Sequence, residues 1–509
     1  MGALITSALA FAFLAPSYAM ADDVSLILNN PKGRKAPTNS CDREVCLSIL
    51  KEITSAKSSI DFAIYGMRNQ SEILNALKKA KARGVKVRGV IDRDSEGKNY
   101  YSSTEELVTM IGKDNISSDL QSELMLLGEK ARDEARRQAK FGAYKPSCDR
   151  PTGFAGPLQC LGYDLGDTCL MAGHASRDAN LAAGYIMHHK FFVFDNKRVW
   201  MGSTNISDSG TGGYNANLVS IIKSPTIAQW YTDEFEIMFK GQYHAQKPST
   251  GMRSLPLKPG LSVDIGFSPQ DKPITNAVRP LIQKAKKRID IAIFFLTHKG
   301  ITRDLIKAHR RGVKVRIILD ATAATNGYTK HDLLRAAGIP VKVEHWGGKM
   351  HMKSAVIDSK HVIVGSMNWT SAGEGGNDEN TMIIHSKKHA RKYETFFNNL
   401  WNQIPDTFLK NRPDPESIAS SSACFDGVDN DYDHMADGKD DGCSKNPPPL
   451  SPLPPWRIIP KTDGRGLVKL LNGVYYLPKH KKYDTITPEG YACSANAAKD
   501  AGYKKARWR

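Results

Sequence analysis

The chain has 509 residues, with 71 Lys and Arg against 53 Asp and Glu, a formal net charge of +18. Its hydrophobic share of 40% and charged share of 24% are ordinary for a globular protein of two or three domains. No apolar segment is long enough to span a bilayer as a helix, and the charge implies attraction to anions (nucleic acid, acidic lipid headgroups or a bacterial envelope) without choosing among them.

The apolar run Leu4–Ala15 ends in Pro16-Ser17-Tyr18-Ala19-Met20-Ala21. This predicts a signal peptide over residues 1–21, cleaved after Ala19 or Ala21, although the usual basic n-region is missing. The expectation is a secreted chain of the bacterial exported type. Eight cysteines agree with export. Cys41–Cys46 and Cys424–Cys443 are the expected disulfides, Cys148, Cys160 and Cys169 cluster, and Cys493 lies near the end. No spacing resembles a Cys/His zinc site.

A first half is expected over residues 22–250. After a Pro/Gly/Asn-rich entry loop, Cys46–Ala56 reads as a helix and Ser59–Tyr65 as a buried strand. Ser71–Arg83 reads as an amphipathic helix closed by Gly84, and Val85–Ile91 as the next strand. This βαβ pattern predicts parallel pairing. An insertion over about 95–170, with a charged helical stretch at Glu123–Lys140, reads equally as a lid or as a disulfide-stapled subdomain. The pattern then returns in a second half over 251–404. Ile60-Asp61-Phe62-Ala63-Ile64 matches Ile289-Asp290-Ile291-Ala292-Ile293, and Arg83-Gly84-Val85-Lys86-Val87-Arg88 matches Arg311-Gly312-Val313-Lys314-Val315-Arg316. Aromatic-rich helices are expected near Ile227–Phe239 and His389–Trp401. The chain is an internal duplication of an α/β unit.

Each half also carries the pattern H-x-K-x4-D followed by G-S-x-N. The first copy is His188, Lys190, Asp195 and Gly202-Ser203-Thr204-Asn205. The second is His351, Lys353, Asp358 and Gly365-Ser366-Met367-Asn368. The apolar runs Phe191–Phe194 and Ser354–Ile357 read as buried strands, whose alternation puts each His and Lys on one face. His189 and Met352 then face the other way, and His298 and His309 read as surface residues.

Residues 405–464 read as a linker. Within it, the loop 424–443 places Asp429, Asp431, Asp433 and Asp437 at spacings that suit a hard, oxygen-seeking cation such as calcium. His434 stands where a standard calcium loop has glycine, and the bland alternative is a solvated acidic linker. Pro447–Pro455 is a stiff spacer, and 465–509 a small basic module with a short helix near Ser494–Ala501.

The paired H-x-K-x4-D motifs resemble those of the phospholipase D superfamily, over roughly residues 57–404. The resemblance implies two α/β/α halves, with mixed or mostly parallel sheets, facing across a pseudo-twofold axis. It also implies a monomer, since both motifs lie in one chain. His188, Lys190, His351 and Lys353 would be catalytic, one His attacking phosphorus and the other protonating the leaving group. Asn205 and Asn368 would hold phosphoryl oxygens, with Ser203 and Ser366 helping to position the phosphate. Asp195 and Asp358 would be structural. Glu379, in Gly376-Asn377-Asp378-Glu379-Asn380, is expected to orient His351, with Ala216 at the aligned position of the first half. A carboxylate partner argues for His351 as nucleophile, whereas family habit favours His188. No cofactor is needed for the chemistry. The leading expectation is a secreted phospholipase D acting at a phospholipid membrane surface, releasing headgroups to leave phosphatidic acid. The alternative is a secreted nuclease, supported by the charge and by Gly365-Ser366-Met367-Asn368-Trp369-Thr370. An inactive binding protein is disfavoured, because both motif sets are complete.

Overall fold

The computed structural model describes residues 22–93, 98–119, 185–326, 328–420, 422–431 and 435–444, with short strand segments at 158–162, 168–173 and between 458 and 506. The leader 1–21, the stretch Glu123–Lys140, Cys148, Asp433, His434, Pro447–Pro455 and Cys493 lie outside the described residues, as does most of the helix expected at Ser494–Ala501.

The first half runs β1 (Asp23–Asn29), α1 (Glu44–Ser55), β2 (Ser59–Ile64), α2 (Ser71–Ala82), β3 (Lys86–Ile91), α3 (Thr104–Ile111), β4 (Ile116–Ser118), β5 (Lys190–Phe194), β6 (Arg198–Gly202), β7 (Asn217–Lys223) and α4 (Pro225–Phe239). The second runs β8 (Arg253–Lys258), β9 (Leu261–Ser268), β10 (Arg288–Ile293), α5 (Lys299–Arg310), β11 (Lys314–Leu319), β12 (Val341–Val343), β13 (Lys353–Ile357), β14 (His361–Gly365), β15 (Glu379–His385) and α6 (Lys387–Gln403). The strand orders are β1-β7-β6-β5-β2-β3-β4 and β8-β9-β15-β14-β13-β10-β11-β12, the same layout with β8 added at one edge.

Both sheets are mixed. Only β2-β3-β4 and β10-β11-β12 pair in parallel; the motif strands pair antiparallel with every neighbour. The mostly parallel alternative is therefore corrected. The turn after Phe194 is too short for the crossover that parallel strands require.

The repeated Asp and Arg of each half meet on adjacent strands. Arg88 grips Asp61 through Nε at 2.8 Å and Nη2 at 3.0 Å, and Arg316 grips Asp290 at 2.8 and 3.1 Å. Each guanidinium also lies over the aromatics of the helix after the motif, Phe235 and Phe239 in one half, Phe397 and Trp401 in the other. Sheet and helix are thus joined by a paired, stacked cation. Arg83 and Arg311 reach backbone carbonyls at the ends of the preceding helices. Asp195 and Asp358 adopt φ of 54° and 52°. Each collects the backbone N–H groups of three successive residues, 57–59 and 286–288, at the strand end remote from the histidines.

The sheets face each other across a shared core that includes Phe191, Val193, Tyr231, Phe235, Val356, Val364, Tyr393 and Phe397. Two further clusters fill the outer layers of the halves. The Cys41–Cys46 and Cys424–Cys443 disulfides are both formed. The insertion hairpin 158–162/168–173 pairs with Ile458–Pro460, and part of the C-terminal segment forms a four-stranded sheet. Among the described residues no helix is long and apolar enough to cross a membrane.

The glycine of G-S-x-N has a steric cause. A Cβ on Gly202 would lie 2.2 Å from the Leu218 carbonyl oxygen, and one on Gly365 would lie 2.2 Å from that of Asn380. Gly84, at φ +85°, has open space around it. Gly202→Ala and Gly365→Ala should each cost about 1–3 kcal/mol by overpacking against backbone, whereas Gly84→Ala should cost about 1–2 kcal/mol from its left-handed backbone alone. Urea denaturation checks this, and wild-type stability in the first two variants would contradict the packing account.

Candidate active site

The strands bring His188 and His351 to one cleft of about 820 Å³ between the halves. The loop before each motif strand is held by the opposite half. Met187 bridges Asp378, and Met350 bridges Ala216. His188 N–H donates to the Asp378 carbonyl at 3.0 Å, and His351 N–H to the Ala216 carbonyl at 2.9 Å. Behind each loop, a buried aspartate accepts the N–H of the residue before the histidine, Asp92 from Met187 and Asp320 from Met350, both at 2.9 Å.

The side chains are exchanged in the same way. Glu379 sits 2.8 and 2.9 Å from Nδ1 of His188, not beside His351. The expected Glu379–His351 pair is corrected: the carboxylate serves the histidine of the other half. Nδ1 of His351 meets the Ser203 carbonyl at 3.0 Å and Oδ1 of Asn217 at 3.4 Å. Asn217, not Ala216, is therefore the counterpart of Glu379. Ser203 Oγ donates to Asn217 fourteen residues on, while Ser366 Oγ donates to Glu379 thirteen residues on. One extra residue in the first-half loop displaces the alignment. Both serines are buried and hold these orienting residues in place.

Lys190 and Lys353 are buried beneath the histidines, and each Nζ donates to the carbonyl of its own motif His, at 2.7 and 2.8 Å. Tyr65 and Phe294 follow the two central strands and cover these pairs. Tyr65 meets the His188 ring edge-on at 5.7 Å, and Phe294 lies 5.1 Å from His351. Both aromatics directly follow the repeated Ile-Asp-x-Ala-Ile stretch, a signal the repeats carried. Asn205 lines the cleft and donates from Nδ2 to the Tyr101 hydroxyl at 2.9 Å. Its Oδ1, like that of Asn368, has no hydrogen-bond partner among the described residues.

Burial, reinforced by Lys190 and Lys353, holds His188 well below the usual imidazole range. Burial and the same two lysines do the same to His351. Burial pushes Glu379 up to about 7 against the pull of Lys190, lowers Lys190 to about 7 and takes Lys353 well below its ordinary value. Neutral imidazoles with Nδ1–H bound to an acceptor leave Nε2 as a lone pair.

Asp378, beside Glu379, is anchored by His244 at 3.0 Å and Lys247 at 2.8 Å. Lys247 continues to Glu234, which pairs at 3.1 Å with His189 on the reverse side of the strand. Burial alone would lower His244, but Asp378 and Asp119 raise it to about 9. His298 caps α5 and pairs with Glu374 at 3.2 Å.

The acidic loop forms part of the cleft wall. Asp426, Gly427, Val428, Asp429 and Asn430 line it. Carboxylate oxygens of Glu416, Asp429 and Asp431 lie within 4.8 Å of one another. Glu416 was not among the expected ligands. Asp437 instead accepts the backbone N–H groups of Asp426 at 2.9 Å and Gly427 at 3.2 Å.

The model of the family described as "Cardiolipin synthase, PLD-like domain" matches residues 49–131, 166–239 and 278–401. The chain belongs to this family, within the phospholipase D superfamily. Over 144 residues it is 31% identical to mitochondrial cardiolipin hydrolase of Canis lupus familiaris, covering 28% of this chain and 57% of that protein. Over 119 residues it is 37% identical to phospholipase D of Rickettsia conorii, covering 23% and 60%. The chain thus spans little more than half the length of these curated relatives. Among solved structures, Nuc from Salmonella typhimurium matches at 28% identity and TM-score 0.26, covering 28% of this chain and 97% of that one. Phosphatidylserine synthase from Haemophilus influenzae matches at 13% identity and TM-score 0.43, covering 72% and 88%.

The His188–Glu379 pair should titrate as a unit. As pH rises through about 7, Glu379 loses its proton and imidazole Nδ1–H becomes its donor. Nitrogen-15 imidazole NMR should then show His188 Nε2 changing from protonated to lone-pair character, with His351 uncharged at pH 6.5. A doubly protonated His188 at that pH would contradict the assignment.

Proposed function

We propose that the protein is a secreted phospholipase D that hydrolyses or transphosphatidylates phospholipid headgroups through a phosphohistidine. The observation that carries this reading is the pair of imidazoles with Nδ1 held by acceptors in one cleft, only one of them by a carboxylate. His188 attacks phosphorus through Nε2, since Glu379 stabilises the cationic adduct that results. The P–O bond to the headgroup breaks, and His351 donates the Nε2 proton to the leaving oxygen. The bound phosphodiester anion supplies what His351 lacks in the free protein, a negative charge that raises its proton affinity. His351 then takes a proton from water or an acceptor alcohol, which attacks phosphorus and breaks the P–N bond. The lysines and Asn205 and Asn368 offer positive charge and amide donors to the non-bridging oxygens.

Aromatic walls at Tyr65, Tyr100, Tyr101 and Phe294 support a lipid substrate, and relatives carry the names phospholipase D and cardiolipin hydrolase. The net charge of +18 favours the second reading, a nuclease. In EDTA, the protein should release phosphatidic acid from mixed phospholipid vesicles and leave single- and double-stranded DNA intact; the reverse result establishes the nuclease. His188→Ala and His351→Ala should each lower lipid turnover by roughly 10³-fold or more. On a p-nitrophenyl phosphodiester, whose leaving group needs little protonation, His351→Ala should accumulate phosphohistidine and His188→Ala should form none. Equal trapping in both variants would refute the division of roles.

The chemistry as written needs no metal. We propose calcium as a structural ion of the acidic loop, with Glu416, Asp429 and Asp431 as donors and Asp433 as a further candidate, since clustered carboxylates suit a hard cation. Calcium should raise the melting temperature by mass action. The combined substitution Glu416→Gln, Asp429→Asn and Asp431→Asn should abolish calorimetric binding. Unchanged affinity would place the ion elsewhere.

A further inference from the structure

The second half differs from the first by β8, the added edge strand. The turn from β8 to β9 forms one wall of a second, open pocket of about 990 Å³. Its other walls come from the start of β14, the end of β15 and the start of α6. Lys258, Lys360, Lys387 and Lys388 line it together with His361, His385 and Ser386, and no carboxylate lines it among the described residues. Strand β15 runs from Glu379 at the catalytic cleft to His385 at this pocket, a separation of about 20 Å. The chemistry proposed for the cleft makes no use of it.

The two histidines pair across β14 and β15, where the first half has Arg198 and Lys223. Asp264 Oδ2 lies 2.8 Å from Nε2 of His385, and Nδ1 of His385 lies 2.5 Å from Nδ1 of His361. His385 donates its Nε2–H to Asp264, so its Nδ1 accepts the Nδ1–H of His361. Nε2 of His361 is left as a lone pair, without a partner among the described residues. Burial, reinforced by His385 and Lys360, holds His361 down to about 4, so this ring is uncharged at neutral pH. The carboxylates nearby are already engaged. Asp264 also accepts from Ser254 Oγ at 2.6 Å, and Asp358 holds the backbone N–H groups of residues 286–288.

Ser386 precedes the first turn of α6 as Ser224 precedes that of α4. Ser224 accepts the Ile227 N–H at 3.4 Å, whereas Ser386 makes no side-chain cap. Ser386 lines the pocket, is 5% exposed, and its hydroxyl has no partner among the described residues. The N–H groups of Lys387, Lys388 and His389 are thus uncapped, at the positive end of a 17-residue helix. Lys258 pairs with Asp23 at 2.6 Å. Lys360, Lys387 and Lys388 are exposed and have no carboxylate partner among the described residues.

We propose that this pocket binds a phosphate group with a second ionisable oxygen, held by Ser386, the first turn of α6, Lys360, Lys387, Lys388 and His361. Uncapped N–H groups, a buried hydroxyl and three unpaired ammonium groups suit a small oxyanion of high charge. The His361 lone pair then narrows the class. A phosphomonoester ionises a second time at about pH 6, so one proton is available to bridge its oxygen and His361 Nε2. A phosphodiester or a sulfate has no such proton to share. Free phosphate and the headgroup of phosphatidic acid in a membrane share this chemistry. The site is independent of the reaction proposed for the cleft.

Nitrogen-15 imidazole NMR on the full chain reads this pocket separately from the cleft, with the His361 signals assigned through His361→Gln. Inorganic phosphate should move His361 Nε2 from lone-pair to protonated character, and sulfate should not. The combined substitution Ser386→Ala, Lys387→Gln and Lys388→Gln should raise the apparent Kd for phosphate about tenfold or more. Lys78→Gln with Lys79→Gln, which removes the same charge from the exposed face of α2, should leave it unchanged. Vesicles then identify the source, in a His188→Ala background so that no lipid is turned over. Capture by phosphatidic acid vesicles above phosphatidylglycerol vesicles of equal surface charge, lost in the triple variant, supports a membrane headgroup as the ligand. Equal capture by both, with the NMR response intact, supports free phosphate. A His361 signal that ignores phosphate, or equal weakening in the triple variant and the α2 control, overturns the proposal and reduces the lysines to a diffuse positive surface.

Discussion

The structure depends on an exchange between its halves. Each histidine-bearing loop is hydrogen-bonded to the strand entry of the other half, and each histidine is oriented by a residue from that same strand. Neither half holds a finished site. The pairing is also the place where burial is hardest to satisfy, because Lys190, Lys353, Glu379, Asp378, His244 and Lys247 all sit away from water. Charges in such surroundings are tolerable only when matched closely. The chain from His189 through Glu234, Lys247 and Asp378 to His244 supplies that matching on the reverse side of the strand.

Asymmetry enters a symmetric frame through very few residues. The Asp–Arg–aromatic stacks, the Gly–backbone crossings and the Asp turns at the strand ends are nearly the same in both halves. Glu379 against Asn217 is the main chemical difference beside the two imidazoles. Asn217 is one methylene shorter than Glu379 and shares Nδ1 of His351 with the Ser203 carbonyl, and only the carboxylate compensates a positive charge on its histidine.

Local spacing made much of this legible in the sequence. The duplicated motifs, the βαβ units, the helices expected at Ser71–Arg83 and near His389–Trp401 and the two disulfides follow from local patterns, and the structure contains each of them, with the helices at Ser71–Ala82 and Lys387–Gln403. Partnerships across the halves did not follow. Glu379 was assigned to the histidine nearest in sequence, and the extra residue between Ser203 and Asn217 hid the true counterpart. The βαβ pattern accounts for the parallel pairs of each sheet, and the short turn after Phe194 forces the antiparallel hairpin that makes the sheet mixed. Glu416 and Asn430 had no signature at all, since their place beside the cleft depends on a loop folding back from beyond both halves.

The crosswise exchange also fixes a polarity. With the carboxylate beside His188, the proposed division of roles would have a substrate cross the cleft in one sense, its departing portion toward His351. Were residues 217 and 379 to trade side chains, the proposed roles of His188 and His351 would trade with them, and the substrate would have to lie the other way round.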